Sequence, residues 1–250
     1  MATLKLTPAA AATPAPAPEA APGAVPAAPD WCHPRRLRQW GLRRGWRCQL
    51  RRRERWVKRA LDLGLCALTG VPAAVIVAGL ALAVRWDTPG KALFAQPRVG
   101  RNGRTFRMWK LRTMVINAEA LERDLQHLNE LPWPDFKISN DPRVTRVGRW
   151  LRRTSLDELP QIWNIVRGEM SWVGPRPTSF GLERYELWHT ERLATPPGLT
   201  GLWQIVARAE CDFDQRLRLD LAYVRNWRLG LDLAILAATV RAVLQQRGAK

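Results

Sequence analysis

Thr154-Ser155-Leu156-Asp157-Glu158-Leu159-Pro160-Gln161-Ile162-Trp163-Asn164-Ile165-Val166-Arg167-Gly168, continued by Glu169-Met170-Ser171-Trp172-Val173-Gly174-Pro175-Arg176-Pro177, decides the reading of this chain. Adjacent carboxylates, Asp157 and Glu158, stand at the entrance to a short helix. Arg149, Arg152 and Arg153 precede them, and Arg167 and Arg176 follow. Nearby positive charge favours the carboxylate anion, so both are expected to be ionised at neutral pH. An ionised Asp can hold a divalent metal or act as a nucleophile, and the surplus cations suit a polyanionic substrate such as a diphosphate. A structural reading competes with this chemistry. Ser155-x-x-Glu158 has the form of a capping box, and acidic residues suit a first helical turn. Pro160 fits poorly in the second turn of a helix starting at Ser155, because its missing N–H would fall inside the ladder. It fits better if the regular helix begins near Pro160 and leaves the carboxylates on the preceding turn.

Outward from this stretch, the composition narrows the class of partner. Forty Lys and Arg against 22 Asp and Glu give a formal net charge of +18. Such an excess points to an anionic partner: nucleic acid, a phosphorylated small molecule or an anionic membrane. Thirteen Trp against two Tyr favours the membrane–water interface, where Trp concentrates. Cys32, Cys48, Cys66 and Cys211 are scattered without a C-x-x-C pair, which suggests neither a zinc site nor a disulfide framework. Cys66, in an apolar run, reads as a small buried hydrophobe. His33, His127 and His189 are isolated and read as structural or solvated.

Residues 1–30 are mostly Ala and Pro, with few large apolar side chains to offset ordering entropy, and read as a disordered tail. They lack the basic n-region and apolar h-region of a signal peptide. Residues 31–57 form a basic Trp/Arg-rich segment in which Leu42, Trp46 and Leu50 share a helical face, as suits an anionic membrane surface. A solvated basic tail that touches nucleic acid nonspecifically is the competing reading. Residues 58–86 form the membrane segment. Leu63 to Val84 contains no charged side chain and is long enough to reach across a hydrocarbon core. Gly70 and Pro72 near its middle, and basic residues on both flanks, favour a kinked hairpin that enters and leaves by one leaflet. A spanning helix with a proline kink is the alternative.

Residues 87–250 read as a globular domain. Arg98 to Phe106 predicts a hairpin with Asn102-Gly103 supplying positive φ at its turn. Neither a G-x-G-x-x-G nor a P-loop occurs, so no nucleotide is announced by those routes. Asn117 to Leu131 predicts a helix ended by Pro132. Val144, Val147 and Leu151 have helical spacing, with Asp141 as a possible cap. Ile162 and Trp163 are expected in the core beside Val166. Leu229 to Leu244 predicts a helix lying against the core or in the interface, too broken by Asp232 and Arg241 for a span.

Several ordered blocks carry a resemblance. They are Phe94-Ala95-Gln96-Pro97-Arg98-Val99-Gly100, Lys110-Leu111-Arg112-Thr113-Met114, and Asp141-Pro142-Arg143-Val144-Thr145-Arg146-Val147-Gly148. After Thr154–Pro177 come Pro197-Gly198-Leu199-Thr200-Gly201-Leu202-Trp203-Gln204 and Leu219-Asp220-Leu221-Ala222-Tyr223-Val224-Arg225-Asn226-Trp227. Together they resemble the bacterial sugar transferases, the monotopic polyprenyl-phosphate phosphoglycosyl transferases of exopolysaccharide, capsule and glycan assembly. Two departures stand out: Val206-Ala207-Arg208 where such proteins often carry Ser-Gly-Arg, and Val71-Pro72 where the membrane break is often Ser-Pro.

The resemblance implies a small α+β, mainly helical, monotopic catalytic domain with interfacial helices and a re-entrant helix–break–helix, broken at Pro72. It implies transfer of a sugar-1-phosphate from a nucleoside-diphosphate sugar, usually a UDP-sugar, to polyprenyl (undecaprenyl) phosphate with release of UMP. Asp157 would be the nucleophile, and Glu158 would help hold Mg²⁺ or orient the acceptor. Lys110, Arg112, Arg176 and Arg208 would bind substrate phosphates. The expected location is the cytoplasmic face of a bacterial inner membrane, among anionic lipids and without nucleic acid; a homo-oligomer is left open. The competing class is a membrane-surface binding or scaffold protein without catalysis, and a folded but inactive family member is a third reading.

Overall fold

The computed structural model describes residues 52–130, 136–178, 180–207 and 212–245. Residues 1–51, which hold the expected tail 1–30 and most of the basic segment 31–57, and Arg208 lie outside the described residues. Within them the chain is mainly helical with two small two-stranded sheets.

Helix α1, Arg52–Asp87, runs for 36 residues, about 54 Å at the α-helical rise. Helical turns continue through Pro72 rather than separating into two helices. This is the one described helix long and apolar enough to cross a membrane, and only 11% of its most apolar window is buried. Lys58, Asp62, Cys66, Ala73 and Val84 face the rest of the protein, while Leu68, Val71, Val75 and Trp86 are exposed. Cys66 is buried as expected, in a core cluster with Met108, Ile162 and Ile165.

Strands β1, Leu93–Val99, and β2, Thr105–Leu111, pair antiparallel with Arg98 opposite Phe106 and Leu93 opposite Leu111. The turn between them has positive φ at Asn102 (56°) and Gly103 (74°), as the sequence predicts. Beyond β2, the helix expected over 117–131 shrinks to one turn, α2, Ala118–Leu121, with a 3-10 turn at Gln126–Leu128. Only Ala118 is buried there, so no apolar face drives a longer helix.

Helix α3, Arg146–Thr154, is capped by Thr145, whose hydroxyl accepts from Gly148 N at 2.9 Å. Asp141, the expected cap, instead receives a forked pair of bonds from Arg143 Nε (3.0 Å) and Nη2 (2.7 Å). Helix α4 is Gln161–Arg167, strand β3 Ser171–Val173 and strand β4 Gly198–Thr200. The last two run parallel, with Ser171 opposite Gly198 and Val173 opposite Thr200. Helices α5, Leu202–Val206, α6, Phe213–Arg225, and α7, Leu229–Leu244, complete the order.

The deepest core lies where β3, α5, α6 and α7 meet, around Val173, Leu202, Tyr223, Leu231 and Ile235. Helix α7 lies against this core, as expected, through Leu231, Asp232 and Ile235; Leu233, Val240 and Val243 remain exposed on its other side. In α4, Ile162 is buried but Trp163 is 57% exposed, which corrects its assignment to the core. The inward face of that short helix is filled by Gln161, Ile162, Asn164 and Ile165, and Trp163 falls outside this arc.

Candidate active site

Helix α3 ends at Ser155, which adopts a left-handed conformation (φ 57°) and sends its N–H back to Arg152 O. The reversal starts a 3-10 turn, Leu156–Glu158, and Pro160 then serves as the N-cap of α4. The carboxylates thus occupy a separate turn before the regular helix, the arrangement that Pro160 demands. Ser155 makes no side-chain cap, so the capping-box reading is overturned.

Asp157 is buried, and neither of its oxygens enters a hydrogen bond with a described residue. Burial raises its pKa above the usual carboxylate value, against the lowering pull of Lys110, Arg152 and Arg176; Glu158 adds to the rise. Desolvation therefore outweighs the surrounding cations, the opposite of the trend expected from the arginine count. Glu158 follows the expected trend. Although burial opposes it, Arg176 and Lys110 hold its carboxyl far below the usual range.

The Glu158 carboxylate gathers cations from two distant parts of the chain. Lys110 Nζ, from β2, donates to Oε1 at 3.0 Å. Arg176 donates through Nη1 to Oε2 at 3.2 Å and through Nη2 to Oε1. Its charge-assisted fork fits a planar carboxylate and can fit a phosphate equally well. Glu158 in turn raises the Arg176 pKa.

Two supports place these cations. Asn164 of α4 accepts from Trp109 N at 3.0 Å and donates to Arg107 O at 2.7 Å, fixing β2 and Lys110 against the carboxylate turn. Arg176 sits just past β3 on Gly174-Pro175-Arg176-Pro177. Gly174 N donates to Thr200 O and Gly198 N to Pro175 O, both at 2.9 Å. A Cβ on Gly198 would lie 2.1 Å from Gly174 N, so glycine is needed for this close approach. From the other side Arg192 donates to Arg176 O, and its Nη2 meets Asp220 Oδ2 at 2.6 Å.

Beneath β3, Lys58 of α1 donates to Val173 O (2.8 Å), Tyr223 OH (3.2 Å) and Asp232 Oδ2 (2.8 Å). Tyr223 OH also donates to Asp232 Oδ1 at 2.7 Å, and Trp227 Nε1 to Asp232 Oδ2 at 3.1 Å. Asp62 accepts from Ser171 Oγ (2.8 Å) and Trp172 N (3.0 Å), while Arg59 donates to the Ile165 and Val166 carbonyls at the C-terminal end of α4. The long apolar helix is therefore bolted to the strand and helix that carry Arg176 and the acidic turn.

Of the expected site residues, Asp157, Glu158, Lys110 and Arg176 come together. Arg112 does not join them. Its Nε donates to Lys91 O (2.8 Å), and its Nη1 and Nη2 donate to Thr88 Oγ1 (2.7 Å) and Thr88 O (2.9 Å). This geometry spends its guanidinium on the chain leaving α1, because Arg112 lies just beyond β2 where the strand direction ends. Arg208 lies outside the described residues. Sequence reasoning missed Arg98, which stands beside Arg176, and the Lys58–Asp232 pair, whose members are 174 residues apart.

Among the described residues no group of three or more His, Cys, Asp or Glu could hold a metal. That suits a tightly caged ion poorly but not Mg²⁺, which binds through one or two carboxylates plus substrate phosphates. A carboxylate offers about four acceptor directions, and three bonds from Lys110 and Arg176 occupy Glu158. Asp157 keeps its acceptors open, so it is the better ligand of the pair.

A model of the bacterial sugar transferase family matches residues 53–246. The chain belongs to that family. The undecaprenyl-phosphate galactose phosphotransferase of Salmonella typhimurium (strain LT2) is 42% identical over 204 residues, covering 80% of this chain and 43% of its own length. The UDP-galactose-lipid carrier transferase of Erwinia amylovora is 44% identical over 202 residues, 78% of this chain and 42% of its own. This family member thus spans less than half the length of those relatives. It covers 87% of the exopolysaccharide production protein ExoY of Sinorhizobium fredii, at 41% identity over 201 residues, which are 76% of this chain.

Proposed function

We propose that this sugar transferase moves a sugar-1-phosphate from a nucleoside-diphosphate sugar, of the UDP-sugar class, to undecaprenyl phosphate and releases UMP. The observation that carries the reading is a buried Asp157 with open oxygens beside a Glu158–Lys110–Arg176 cluster. The family and the names of its relatives support the same chemistry.

In the proposed cycle an Asp157 oxygen attacks the phosphorus that bears the sugar. The new Asp157 O–P bond forms as the diphosphate P–O bond breaks, and UMP leaves with that electron pair. An oxygen of the polyprenyl phosphate then attacks the same phosphorus, and the Asp157 carboxylate departs. Splitting the transfer lets two polyanionic substrates visit in turn instead of meeting. Lys110 and Arg176, already half-buried and aimed, stabilise charge on the transferring phosphoryl group without reorganising. Glu158 holds these two cations in place. Mg²⁺, held by Asp157 and Glu158 with the donor phosphates, would screen the diphosphate charge. Arg208 would add a further phosphate contact.

The exposed apolar sides of α1 are proposed to lie in one leaflet of the bacterial inner membrane. In this proposal a kink at Pro72 within the continuous helix returns both ends to the cytoplasmic face, and the basic flanks rest on anionic lipid. This sets the acidic turn at headgroup height, where a lipid-borne phosphate can reach it. A scaffold without catalysis would account for the apolar helix and the charge but gives no use for an open, buried Asp157.

Asp157→Asn should abolish UMP release from a panel of nucleotide sugars while membrane association persists. Mass spectrometry of the wild-type protein incubated with donor alone should find a phosphosugar on Asp157. An adduct placed consistently on another residue, or full turnover by the variant, would reject this mechanism.

A further inference from the structure

An open cleft of about 160 Å³ lies between the β1 edge, the Arg176 loop and helix α6. Its two ends differ in chemistry. At one end Arg98 and Arg176 stand side by side. Arg98 Nη2 donates to Gln96 Oε1 at 2.5 Å, but its Nε is buried and meets no acceptor among the described residues. Burial first, and the Arg176 charge second, pull the Arg98 guanidinium down to about 10 against the raising pull of Glu158. An anion between them would relieve both the repulsion and the unpaired donor. Arg192 lies on the same wall, but Asp220 neutralises it.

The far end is aromatic. Arg216 lies over the Trp203 ring at 5.4 Å and over the Phe213 ring at 5.8 Å, and Phe180 meets Phe213 edge-on at 5.1 Å. Aromatic faces and guanidinium planes are the surfaces on which nucleobases stack.

We infer that this cleft binds the nucleoside end of the donor: Arg98 and Arg176 take its diphosphate, and Trp203 and Phe213 take its base. The inference rests on the proposed transferase reading and extends it to Arg98, Trp203 and Phe213, which have no part in phosphoryl transfer itself. The base then points away from Asp157, and the shared Arg176 keeps the diphosphate within reach of it.

The test titrates UDP and, separately, inorganic diphosphate into the full chain in detergent. Donor and acceptor KM are measured alongside. Wild type should bind UDP at least about tenfold more tightly than diphosphate, the ordinary worth of one base–aromatic contact. Trp203→Ala and Phe213→Leu should each remove most of that advantage and raise donor KM about tenfold, leaving acceptor KM unchanged. Arg98→Gln should weaken UDP and diphosphate alike. Trp203 is half-buried against the core, so Phe213→Leu, with an unchanged melting temperature, serves as the independent variant. UDP binding no tighter than diphosphate, aromatic variants without effect, or a rise in acceptor KM instead of donor KM would each overturn the inference. Aromatic-dependent UDP binding without UMP release from any donor would sink the transferase reading and leave the cleft assignment standing. Normal turnover with indifferent aromatic variants would do the reverse.

Discussion

Arg176 and Glu158, 18 residues apart in the chain, meet as fork and carboxylate, with Nη1 3.2 Å from Oε2 and Nη2 on Oε1. Glu158 keeps a half-buried, phosphate-ready guanidinium aimed before any substrate arrives. Lysine carries the same charge but cannot reproduce the fork. Arg176→Lys should therefore lower kcat/KM for the nucleotide sugar by roughly 100-fold, the scale for losing one aimed donor. Steady-state UMP release measures this, and a variant within threefold of wild type would show that charge alone suffices.

The raised pKa of Asp157 sets an acid limit on activity. A nucleophile must be deprotonated, so kcat/KM should fall with decreasing pH around a midpoint above the usual carboxylate range. Lys110 is the largest influence lowering that pKa, so Lys110→Met should move the midpoint to higher pH. A midpoint that moves lower or stays fixed would contradict this electrostatic account.

The same shift has a consequence for stability. A carboxyl whose folded pKa exceeds its unfolded value binds its proton more tightly in the folded state. Its contribution is complete below the unfolded value, about 3.8, and is lost as pH rises through the folded one. Asp157→Asn should accordingly melt at a higher temperature than wild type at neutral pH, with the gain shrinking toward acid. Melting curves across pH would check this, and equal stability at every pH would count against a desolvated carboxylate.

Removing one partner of the Lys58–Asp232 pair leaves a buried charge without compensation. Lys58→Met should cost about 3–5 kcal/mol, and adding Asp232→Asn should recover part of it. Denaturant titration in micelles reads both. A double variant no better than the single would show that packing, not charge, is the main loss.

Gly198→Ala tests the close approach beneath Arg176. The new Cβ, 2.1 Å from Gly174 N, should separate β3 from β4 and cost about 1–3 kcal/mol. Activity should drop further than stability alone accounts for, because the loop carrying Arg176 moves with β3. A fully active and equally stable variant would show that the two strands can part harmlessly.

The local grammar of this chain was legible. Pro160 forbids an earlier helix start, and the helix does begin at Gln161; Asn102-Gly103 supplies the positive φ of the hairpin turn. The pairing of Asp157-Glu158 with Lys110 and Arg176 was reachable through the family blocks, since nothing in spacing alone joins residues so distant. Trp163 misled because a seven-residue helix buries only one arc, and Arg112 because the strand ends one residue earlier. Asp232 was read as a flaw in an apolar run, yet it is the anchor for Lys58. A pair separated by most of the chain leaves no periodic trace.

That separation also imposes an order on biogenesis. The ammonium of Lys58 leaves the ribosome 174 residues ahead of the carboxylate it will meet, roughly ten to thirty-odd seconds at about 5–20 residues per second. During that interval water or lipid headgroups must hold the charge, and α1 can dock only through its earlier partners, Ser171 and Trp172 on Asp62 and the Ile165 and Val166 carbonyls on Arg59. Final closure of the core around Tyr223 therefore waits for α7 to be translated, and a nascent chain halted before position 232 would hold Lys58 without its counterion.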